Sequence, residues 1–591
     1  MRTSRANSAL SGWICSSCER RLQAGQAHPQ RPLLPKRHNS TKAPSFRKVN
    51  SLPGSLRESP ARTRFAPSPT GNLHLGSIRT ALYNYLLARR TKGQFLLRIE
   101  DTDQKRTVPG AEERLFEDLR WAGLQWDEGP VVGGQHGPYR QSERIYLYQD
   151  HVKPLLQNGK AYRCFCSSER IGDLYQSRQA KGLPLGYDRK CADIPPAEAE
   201  DQAHNGESHV IRFLTPKEYP TYFDLVYGKS GHGAGKTKRL LVDEPAYDDP
   251  ILIKSDGFPT YHFANVVDDH LMKITHVIRG SEWMASTPLH VALYEAFEWI
   301  PPSFVHTPLL VDANYQKLSK RNIDTDVASF RNKGTFPEAL TNFAVLLGWS
   351  HKEKTDVMDL SHLEKIFNLK ITKGNTIVSL GKLEHLQRAH AHRRIEAGGE
   401  PFEQMIRDVA QALLDRYGAA KVMSLIGKRK LRDVVEMMLR ASTKAVWINA
   451  QTFAEGAVKC LFDNAPLLEN PPDISSTPSI PVAAASILLT PEEHWTADVH
   501  RANLRNIDLG EDTRDAKKSK AQLYHWLRWA LVGSADGPGI PETMEILGRD
   551  VCVQRIQAAN VVSRDDQLRK TEPDIKVEAV AQTDGDGPVQ Q

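Results

Sequence analysis

Apolar and polar positions alternate over residues 63–161 in a way that favours strands joined by helices. The pattern predicts a strand at Thr63–Ala66, a helix over 76–91, a strand at Gln94–Glu100 and a helix at Gly110–Ala122. Strand–helix–strand units at this spacing are typical of a parallel sheet. Ligands of such sheets lie beyond the carboxyl ends of the strands, so we expect functional residues in the loops that follow them.

After this region the pattern changes twice. From about 162 to 249 it is interrupted by glycine, proline and polar residues, which indicates a segment inserted into the α/β region. Strands at Ile251–Ser255 and Thr275–Arg279, with a helix beginning at Tyr261, resume the α/β pattern. Beyond residue 321 the apolar spacing is helical. The helices predicted there are Phe336–Leu347, Phe402–Tyr417, Asp433–Ala441, Ala521–Val532 and Pro541–Ile546.

Length and composition limit the class of protein. The chain has 591 residues, which is too long for one ordinary domain and suggests three or four. The longest apolar run, Ile480–Leu489, is about half of the ~20 residues that a membrane helix needs, so we expect no membrane span. Seven cysteines in so long a chain predict no disulfide framework and fit a reducing compartment. The net charge of +7 is compatible with a polyanionic partner but does not establish one.

The first fifty residues differ from the rest of the chain. They contain ten lysines and arginines, frequent serines and a single acidic residue, Glu19. This composition predicts a mitochondrial transit peptide, removed between about residue 38 and Arg57. The alternative is a basic tail that binds nucleic acid. Cys15 and Cys18 lie in this segment without a second cysteine pair, so we assign them no metal.

The loop after the first predicted strand carries the sequence RFAPSPTGNLHLGSIRTAL, residues 64–82. It delivers His74 and Gly76 to the start of a helix. A helix N-terminus presents free backbone N–H groups and the positive end of the helix dipole, which is a favourable place for phosphate. His74 can donate to a phosphate oxygen there. The alternative is that His74 only caps the helix.

Two further segments resemble phosphate-binding loops. GHGAGKT, residues 231–237, lacks the first glycine of a P-loop because Ser230 stands at that position, so we reject it. QKLSKR, residues 316–321, places two lysines around a serine. By itself this is an exposed basic loop, but it follows the His74 element with α/β structure between them.

This combination resembles the class I aminoacyl-tRNA synthetases, in which a HIGH-type motif and a KMSKS-type loop close over ATP. More narrowly, the chain is similar to bacterial-type glutamyl-tRNA synthetases from about residue 63 to 559. The motifs that carry this resemblance are RFAPSPTG with HLGSIRTAL, LRIEDTD, GPYRQSER, PTYHFANVVDDHLMKITHVIRG, KLSKR and LLGWS.

The resemblance implies an α/β fold, with a Rossmann-like catalytic domain, an inserted α+β subdomain and an all-α C-terminal anticodon-binding region. The predicted segments are a disordered transit peptide (1–50), the first catalytic half (60–161), an acceptor-stem-binding insertion (162–249), the second catalytic half with the KMSKS-type loop (250–325), a helical connecting domain that contacts the stem (326–390), the helical anticodon-binding region (391–565) and a disordered tail (566–591).

The resemblance also implies the site residues. The catalytic residues are His74, Lys317 and Lys320. Those for glutamate are Arg64, Phe65, Ala66, Ser68, Glu100, Tyr261, His262, Phe263, Ala264, Asn265 and Arg279. Those for ATP are His74, Gly76, Glu282, Lys317, Leu318, Ser319, Lys320 and Arg321. Ser77 replaces the last histidine of the HIGH-type motif, and we assign it no role.

Elementary chemistry agrees with the implied glutamate pocket. A substrate with two carboxylates and one ammonium needs at least one guanidinium and one carboxylate, which Arg64 or Arg279 and Glu100 could supply.

Zinc is a separate question. Cys164, Cys166 and Cys191 match a zinc pattern of some family members, but Asp193 stands where the final histidine should be. Three cysteines with one aspartate are unusual for structural zinc, and other members lack the metal. We therefore expect no resident zinc and name the three cysteines as the ligands should one bind.

The implied reaction joins L-glutamate to tRNA(Glu) at the cost of ATP, which enters with Mg²⁺. The implied protein is a monomer of the mitochondrial matrix. Three alternatives stay open: that tRNA(Gln) is also charged, that the chain makes an adenylate without tRNA, and that it is an inactive RNA-binding paralogue.

Overall fold

The computed structural model describes most of the chain after residue 59. The described residues are 60–231, 246–318, 326–442, 447–462, 471–474, 477–509, 516–533 and 537–571. Outside them lie the predicted transit peptide with Cys15 and Cys18, all of the rejected GHGAGKT segment after Gly231, the predicted ATP-loop residues Ser319, Lys320 and Arg321, and the tail after residue 571.

The described strands are short. They are β1 (Arg62–Phe65), β2 (Gln94–Leu97), β3 (Ala161–Cys164), β4 (Val210–Phe213), β5 (Tyr222–Asp224), β6 (Gly228–Ser230), β7 (Ile251–Ile253), β8 (His276–Gly280), β9 (Ser303–Thr307), β10 (Leu310–Val311) and β11 (Thr376–Ile377).

A largely parallel sheet lies at the centre of the first half. β1 and β2 pair in parallel, and a second group has the order β6-β5-β9-β8, in which β9 is parallel to both β8 and β5. The backbone N–H of Thr275, next to β8, donates to the carbonyl of Arg62 in β1 at 2.9 Å and joins the two groups. The parallel sheet predicted from the strand–helix pattern is therefore confirmed.

The stretch predicted as an insertion contributes to two sheets. β3, β4 and β7 form an antiparallel sheet of their own, accompanied by helices at Ser168–Ala180 and Pro196–His204. β5, by contrast, pairs with β9 of the central sheet, with Asp224 opposite Phe304. The end of this stretch is thus built into the catalytic sheet.

Helix α1 (Leu75–Arg90) follows β1 and packs across the central sheet. Its apolar positions, including Ile78, Leu82 and Leu86, are fully buried. His74 caps it, because its Nδ1 accepts from the backbone N–H of Ser77 at 3.2 Å. α1 is buried on most of its sides because it packs against helices as well as against the sheet, and the cap fixes where α1 begins.

The second half is helical. Every helix predicted from the sequence beyond residue 321 is present within a few residues of its predicted bounds.

The α-helices of both halves that have not yet been given are Ala111–Trp121, Ile145–Gln157, Tyr261–Leu271, Thr287–Ala296, Val327–Asn332, Pro337–Leu346, Leu360–Ile366, Leu380–Ala397, Glu400–Tyr417, Ala419–Ile426, Leu431–Ala441, Ala450–Thr452, Lys459–Phe462, Ile480–Ile487, Ala497–Asn506, Ala516–Val532, Ile540–Leu547 and Arg549–Thr571.

The fold class is the predicted one, an α/β half followed by helices. None of the described helices is both long and apolar enough to cross a membrane.

Candidate active site

A cavity of about 580 Å³ opens beyond the carboxyl ends of β1 and β8. It brings together residues from parts of the sequence more than two hundred positions apart. The predicted residues that line it are Arg64, Phe65, Ala66, Ser68, His74, Gly76, Glu100, Tyr261, Asn265, Arg279, Glu282, Lys317 and Leu318. Phe263 and Ala264 are fully buried in the hydrophobic core instead, and His262 contacts His290 outside the lining.

One end of the cavity is a network of buried charges. Arg64 donates twice to Asp269, through Nε at 3.0 Å and Nη2 at 3.2 Å. Arg98, which is fully buried, donates to the same carboxylate at 2.7 Å and to Glu100 Oε1 at 3.2 Å. Asn265 Nδ2 also donates to Glu100 Oε1 at 3.2 Å. These contacts hold Arg64 and Glu100 in fixed positions at the cavity wall.

Neighbouring Asp268 extends the network away from the cavity. Its carboxylate accepts from Arg144 Nε at 2.7 Å, Gln141 Nε2 at 2.8 Å and Tyr148 Oη at 2.9 Å. A buried carboxylate with this many donors does not need a ligand to satisfy it. Asp268 therefore belongs to the scaffold.

Within this network, the carboxylates of Glu100 and Asp269 differ in their affinity for protons. Burial raises the pKa of Glu100, against the opposing effect of Arg98 and Arg64. Burial also acts on Asp269, but Arg64 and Arg98 outweigh it and hold the pKa of Asp269 below its ordinary value. The negative charge of Glu100 is therefore less fully balanced by neighbouring arginines than that of Asp269. A bound ammonium would supply a further positive charge next to Glu100.

Arg279, on β8, has a different environment from Arg64. It is 5% exposed, and its partners are all neutral. Nε donates to His306 Nε2 at 3.2 Å, Nη1 to His290 Nδ1 at 3.2 Å and Nη2 to Thr287 Oγ1 at 2.8 Å. In the described part of the chain it forms no ion pair. Arg279 thus brings one uncompensated positive charge to the cavity wall.

The other end of the cavity contains the helix N-terminus. Because Nδ1 of His74 accepts from Ser77, the neutral ring carries its proton on Nε2. Gly76 gives the ring room: a Cβ at this position would lie 3.1 Å from His74 Cε1 and 3.2 Å from Nδ1. His74 is exposed. Its ring can therefore cap the helix through Nδ1 and donate to a phosphate through Nε2.

Lys317 and Leu318 reach the cavity from the segment after β10. Leu318 is held by a bond of 3.0 Å from its backbone N–H to the carbonyl of Leu310, and Lys317 is exposed. Asp326 forms a β-bridge with His74. Leu318 therefore lines the cavity, and Asp326 lies next to a residue that does.

One wall of the cavity is aromatic. The rings of Tyr261 and Trp283 lie 4.4 Å apart, centre to centre, next to Glu282. Flat rings of this kind offer stacking area to a base. Trp283 was not among the residues identified from the sequence, although it directly follows Glu282.

Away from the cavity, Cys164, Cys166 and Cys191 converge, with their sulfur atoms within 4.8 Å of one another. Cys166 and Cys191 are 3.6 Å apart, close to the ~3.8 Å expected for two thiolates on one tetrahedral zinc. The Tyr187 hydroxyl lies 3.3 Å from both Cys164 and Cys166 Sγ, whereas Asp193 is exposed and outside the group. The structure therefore brings the three predicted cysteines together, with the Tyr187 hydroxyl and, at 3.3 Å from Cys166 Sγ, the Arg170 guanidinium as their polar neighbours.

Known proteins share this chain's sequence and fold. Residues 60–385 match the profile of the tRNA synthetases class I (E and Q), catalytic domain, and residues 488–560 match an anticodon binding domain. The mitochondrial glutamate–tRNA ligase of Saccharomyces cerevisiae is 47% identical over 371 residues, which is 61% of this chain and 67% of that protein. The mitochondrial glutamate–tRNA ligase of Schizosaccharomyces pombe is 37% identical over 506 residues, which is 84% of this chain and 90% of that protein.

The crystal structure of glutamate–tRNA synthetase from Elizabethkingia anophelis superposes with a TM-score of 0.65 at 31% identity, covering 85% of this chain and 99% of that one. Since the catalytic-domain match extends over more than half of the sequence, the chain belongs to the class I tRNA synthetases (E and Q).

Proposed function

We propose that this protein is a glutamate–tRNA ligase, which activates L-glutamate with ATP and transfers it to tRNA(Glu). One observation carries the proposal. A single cavity holds a buried carboxylate, Glu100, two guanidinium groups, Arg64 and Arg279, and a helix N-terminus capped by His74. These groups are complementary to an ammonium, to carboxylates and to a phosphate, in that order.

The charge balance of the cavity favours glutamate over glutamine. Arg64, Arg98 and Arg144 form ion pairs with Glu100, Asp268 and Asp269, whereas no carboxylate of the described residues contacts Arg279 directly. Bound glutamate carries a net charge of −1 and would give Arg279 a direct ionic partner, whereas glutamine carries no net charge and leaves the guanidinium without one. A site built for a charged partner rejects the neutral analogue strongly, because its own polar groups stay unsatisfied.

The chemical steps need no side-chain nucleophile. An α-carboxylate oxygen of glutamate attacks the α-phosphorus of ATP, and pyrophosphate leaves with the electrons of the broken P–O bond. The 2′-hydroxyl of the terminal adenosine then attacks the acyl carbon, its proton passes to the departing phosphate, and AMP leaves. The chain orients glutamate with Arg64 and Arg279 at its carboxylates and Glu100 at its ammonium, and stabilises phosphate charge with His74, the α1 N-terminus and Lys317. Mg²⁺ enters with ATP and neutralises part of the phosphate charge.

The remaining segments provide for the tRNA. We assign residues 162–249 to the acceptor end, 326–390 to the stem and 391–565 to the anticodon loop. The match of residues 488–560 to an anticodon binding domain supports the last assignment. Lys320, by its place in the KMSKS-type loop, stabilises the departing pyrophosphate.

The test is aminoacylation by the purified protein, with labelled glutamate and with tRNA(Glu) and tRNA(Gln) in separate reactions. We expect charging of tRNA(Glu), and loss of charging in the double variant His74→Ala with Lys320→Ala. Charging of tRNA(Gln) as well would widen the substrate range to both tRNAs. Wild-type charging no better than the double variant would end the enzyme proposal, and adenylate formation without any charging would favour a tRNA-independent relative.

We also propose that the protein acts in the mitochondrial matrix. The basic, acid-poor first fifty residues support import, as do the mitochondrial relatives from two yeasts. A fluorescent protein fused after residue 57 should enter mitochondria, and the chain lacking residues 2–50 should not. A truncated chain that still enters would show that the targeting signal lies elsewhere.

Zinc, if bound, would be held by Cys164, Cys166 and Cys191 with Tyr187 next to them, where it would tie β3 to the turn at 187–191. Its role there would be structural, since the cluster does not line the cavity. Metal analysis of the purified protein decides the matter: less than about half an equivalent of zinc speaks against a site.

A further inference from the structure

Arg279 is one member of a continuous buried chain of hydrogen bonds. The chain begins at Asp224 on β5, passes through His306 on β9 to Arg279 on β8, and continues through His290 to His262. Asp224, His306 and His290 are at most 1% exposed. Three strands of the central sheet are thus connected through side chains as well as through their backbones.

The direction of each bond follows from the chemistry of arginine. A guanidinium nitrogen can only donate, so His306 Nε2 must accept from Arg279 Nε. His306 therefore carries its proton on Nδ1, which donates to Asp224 Oδ2 at 2.6 Å. By the same reasoning His290 Nδ1 accepts from Arg279, and His290 Nε2–H donates to His262 Nδ1 at 2.9 Å.

Asp224 is itself rigidly held. Its Oδ1 accepts from the backbone N–H groups of Val226 at 2.9 Å and Tyr227 at 2.8 Å, and its Oδ2 also accepts from the backbone N–H of His306 at 3.2 Å. A carboxylate fixed by two strands leaves His306 a single orientation and a single tautomer. This is the relation that holds a histidine in one protonation state in many sites.

The hydrogen bonds to Arg279 use most of its N–H groups and leave one available to a ligand in the cavity. Arginine has five N–H donors, and His306, His290 and Thr287 accept one each. Tyr261 Oη accepts a fourth, longer bond from Nη1 at 3.5 Å. One N–H group, on Nη2, has no acceptor among the described residues and remains for a substrate carboxylate, and every acceptor that fixes the side chain is neutral.

We propose that Asp224 and His306 are positioning residues for glutamate: they clamp Arg279 without neutralising it, so that its charge stays available to a substrate carboxylate. This inference rests on the proposed function and adds two specificity-determining residues to it. A carboxylate bonded directly to Arg279 would hold the side chain equally well but would cancel the charge that distinguishes glutamate from glutamine. Because the imidazole of His306 lies between Asp224 and Arg279, Asp224 fixes the position of the guanidinium without forming an ion pair with it.

Asp224→Asn is the most informative variant. The amide keeps the shape of the side chain, but its NH₂ donates to His306 Nδ1 and forces the proton onto Nε2, where it opposes the N–H of Arg279. We expect the KM for glutamate to rise about tenfold or more, as for loss of a hydrogen bond to a charged group, while the KM for ATP stays within about twofold. His306→Leu should have the same effect, and His306→Gln, whose amide oxygen can accept from Arg279, should restore most of the affinity.

A matched control is Asp150→Asn, at the exposed ion pair of 2.9 Å between Lys153 and Asp150 outside the cavity, which should leave the KM for glutamate unchanged. Calorimetric titration of glutamate into each variant, with thermal melting to confirm folding, measures binding without the chemical step. Equal affinities of wild type and Asp224→Asn, or an equal rise in the KM for ATP, would overturn the clamp. Wild type that binds glutamate but charges no tRNA would instead refute only the proposed function, and wild type that binds no glutamate would refute both.

Discussion

The two ends of the cavity differ in whether their charged groups are buried and paired or exposed to solvent. At the proposed amino-acid end, Arg64, Arg98 and Asp269 are almost fully buried and paired before any ligand arrives. At the proposed nucleotide end, His74 and Lys317 are exposed. A small ligand that must be distinguished from a near-isostere needs preorganised charges, whereas a large polyphosphate can be enclosed by surface groups.

The largest effect should come from breaking the buried end. Asp269→Leu leaves Arg64 and Arg98 without their shared carboxylate, and we expect the free energy of unfolding to fall by about 3–5 kcal/mol. Urea denaturation measures it. The comparison variant is Lys317→Ala at the open end, which should change stability by no more than about 0.5 kcal/mol. Similar losses in both variants would mean that the two ends do not differ as described.

The next effect concerns binding at the buried end. Glu100→Gln keeps the volume but removes the charge that faces an ammonium, and leaves Arg98 with one ionic partner fewer. We expect kcat/KM for glutamate to fall about a hundredfold or more, with the KM for ATP unchanged. Pyrophosphate exchange at varied glutamate and ATP concentrations separates the two. A rise in the KM for ATP alone would place Glu100 in the nucleotide site instead.

At the open end the expected loss is in rate and not in glutamate affinity. His74→Ala removes a donor to the phosphates, and we expect the rate of activation to fall about a hundredfold, with the dissociation constant of glutamate unchanged. Single-turnover adenylate formation gives the rate, and calorimetry gives the affinity. Because His74 also caps α1, His74→Asn, which keeps a capping side chain, is the control: recovery of rate in that variant would reduce the role of His74 to capping.

The smallest effect is the pH dependence. The pKa of Glu100 is raised by burial, so on acidification Glu100 takes up a proton above the range of an ordinary glutamic acid, while Asp269, whose pKa is lowered, stays ionised. Protonated Glu100 cannot hold an ammonium, so on acidification the KM for glutamate should begin to rise while the pH is still above the pKa of about 4.3 of the substrate's own side chain. The Glu100→Gln variant should show no such rise, and a rise in both would assign the titration to another group.

Sequence alone located the fold and the cavity but not the partners of its charges. The strand and helix bounds follow from local periodicity, and thirteen of the predicted site residues line one cavity because their motifs sit at strand ends. Arg98 and Asp269 were missed because their pairing joins positions 171 residues apart. A signal was available: an arginine inside the apolar strand FLLRIE and two aspartates within the apolar helix FANVVDDHL each require a buried counter-charge.

Asp224 and His306 could not have been found in this way. Asp224 lies in a stretch without clear periodicity, and only the pairing of β5 with β9 brings it next to His306. Each residue on its own looks like an ordinary polar position. Their relation exists only in the assembled sheet, since it depends on the register between strands far apart in the sequence.

The uncompensated charge of Arg279 also has a consequence for the free protein. A buried guanidinium that no carboxylate contacts directly is less well compensated than one in an ion pair, so the fold around β8 and β9 is less stable with the cavity empty than with glutamate bound. Bound glutamate therefore stabilises the folded protein. At a free glutamate concentration of a hundred times its dissociation constant, mass action would raise the free energy of unfolding by about 2.7 kcal/mol. The amide protons of these two strands should then exchange more slowly with solvent when glutamate is bound. Binding of the substrate therefore makes this part of the sheet more rigid before the first chemical step.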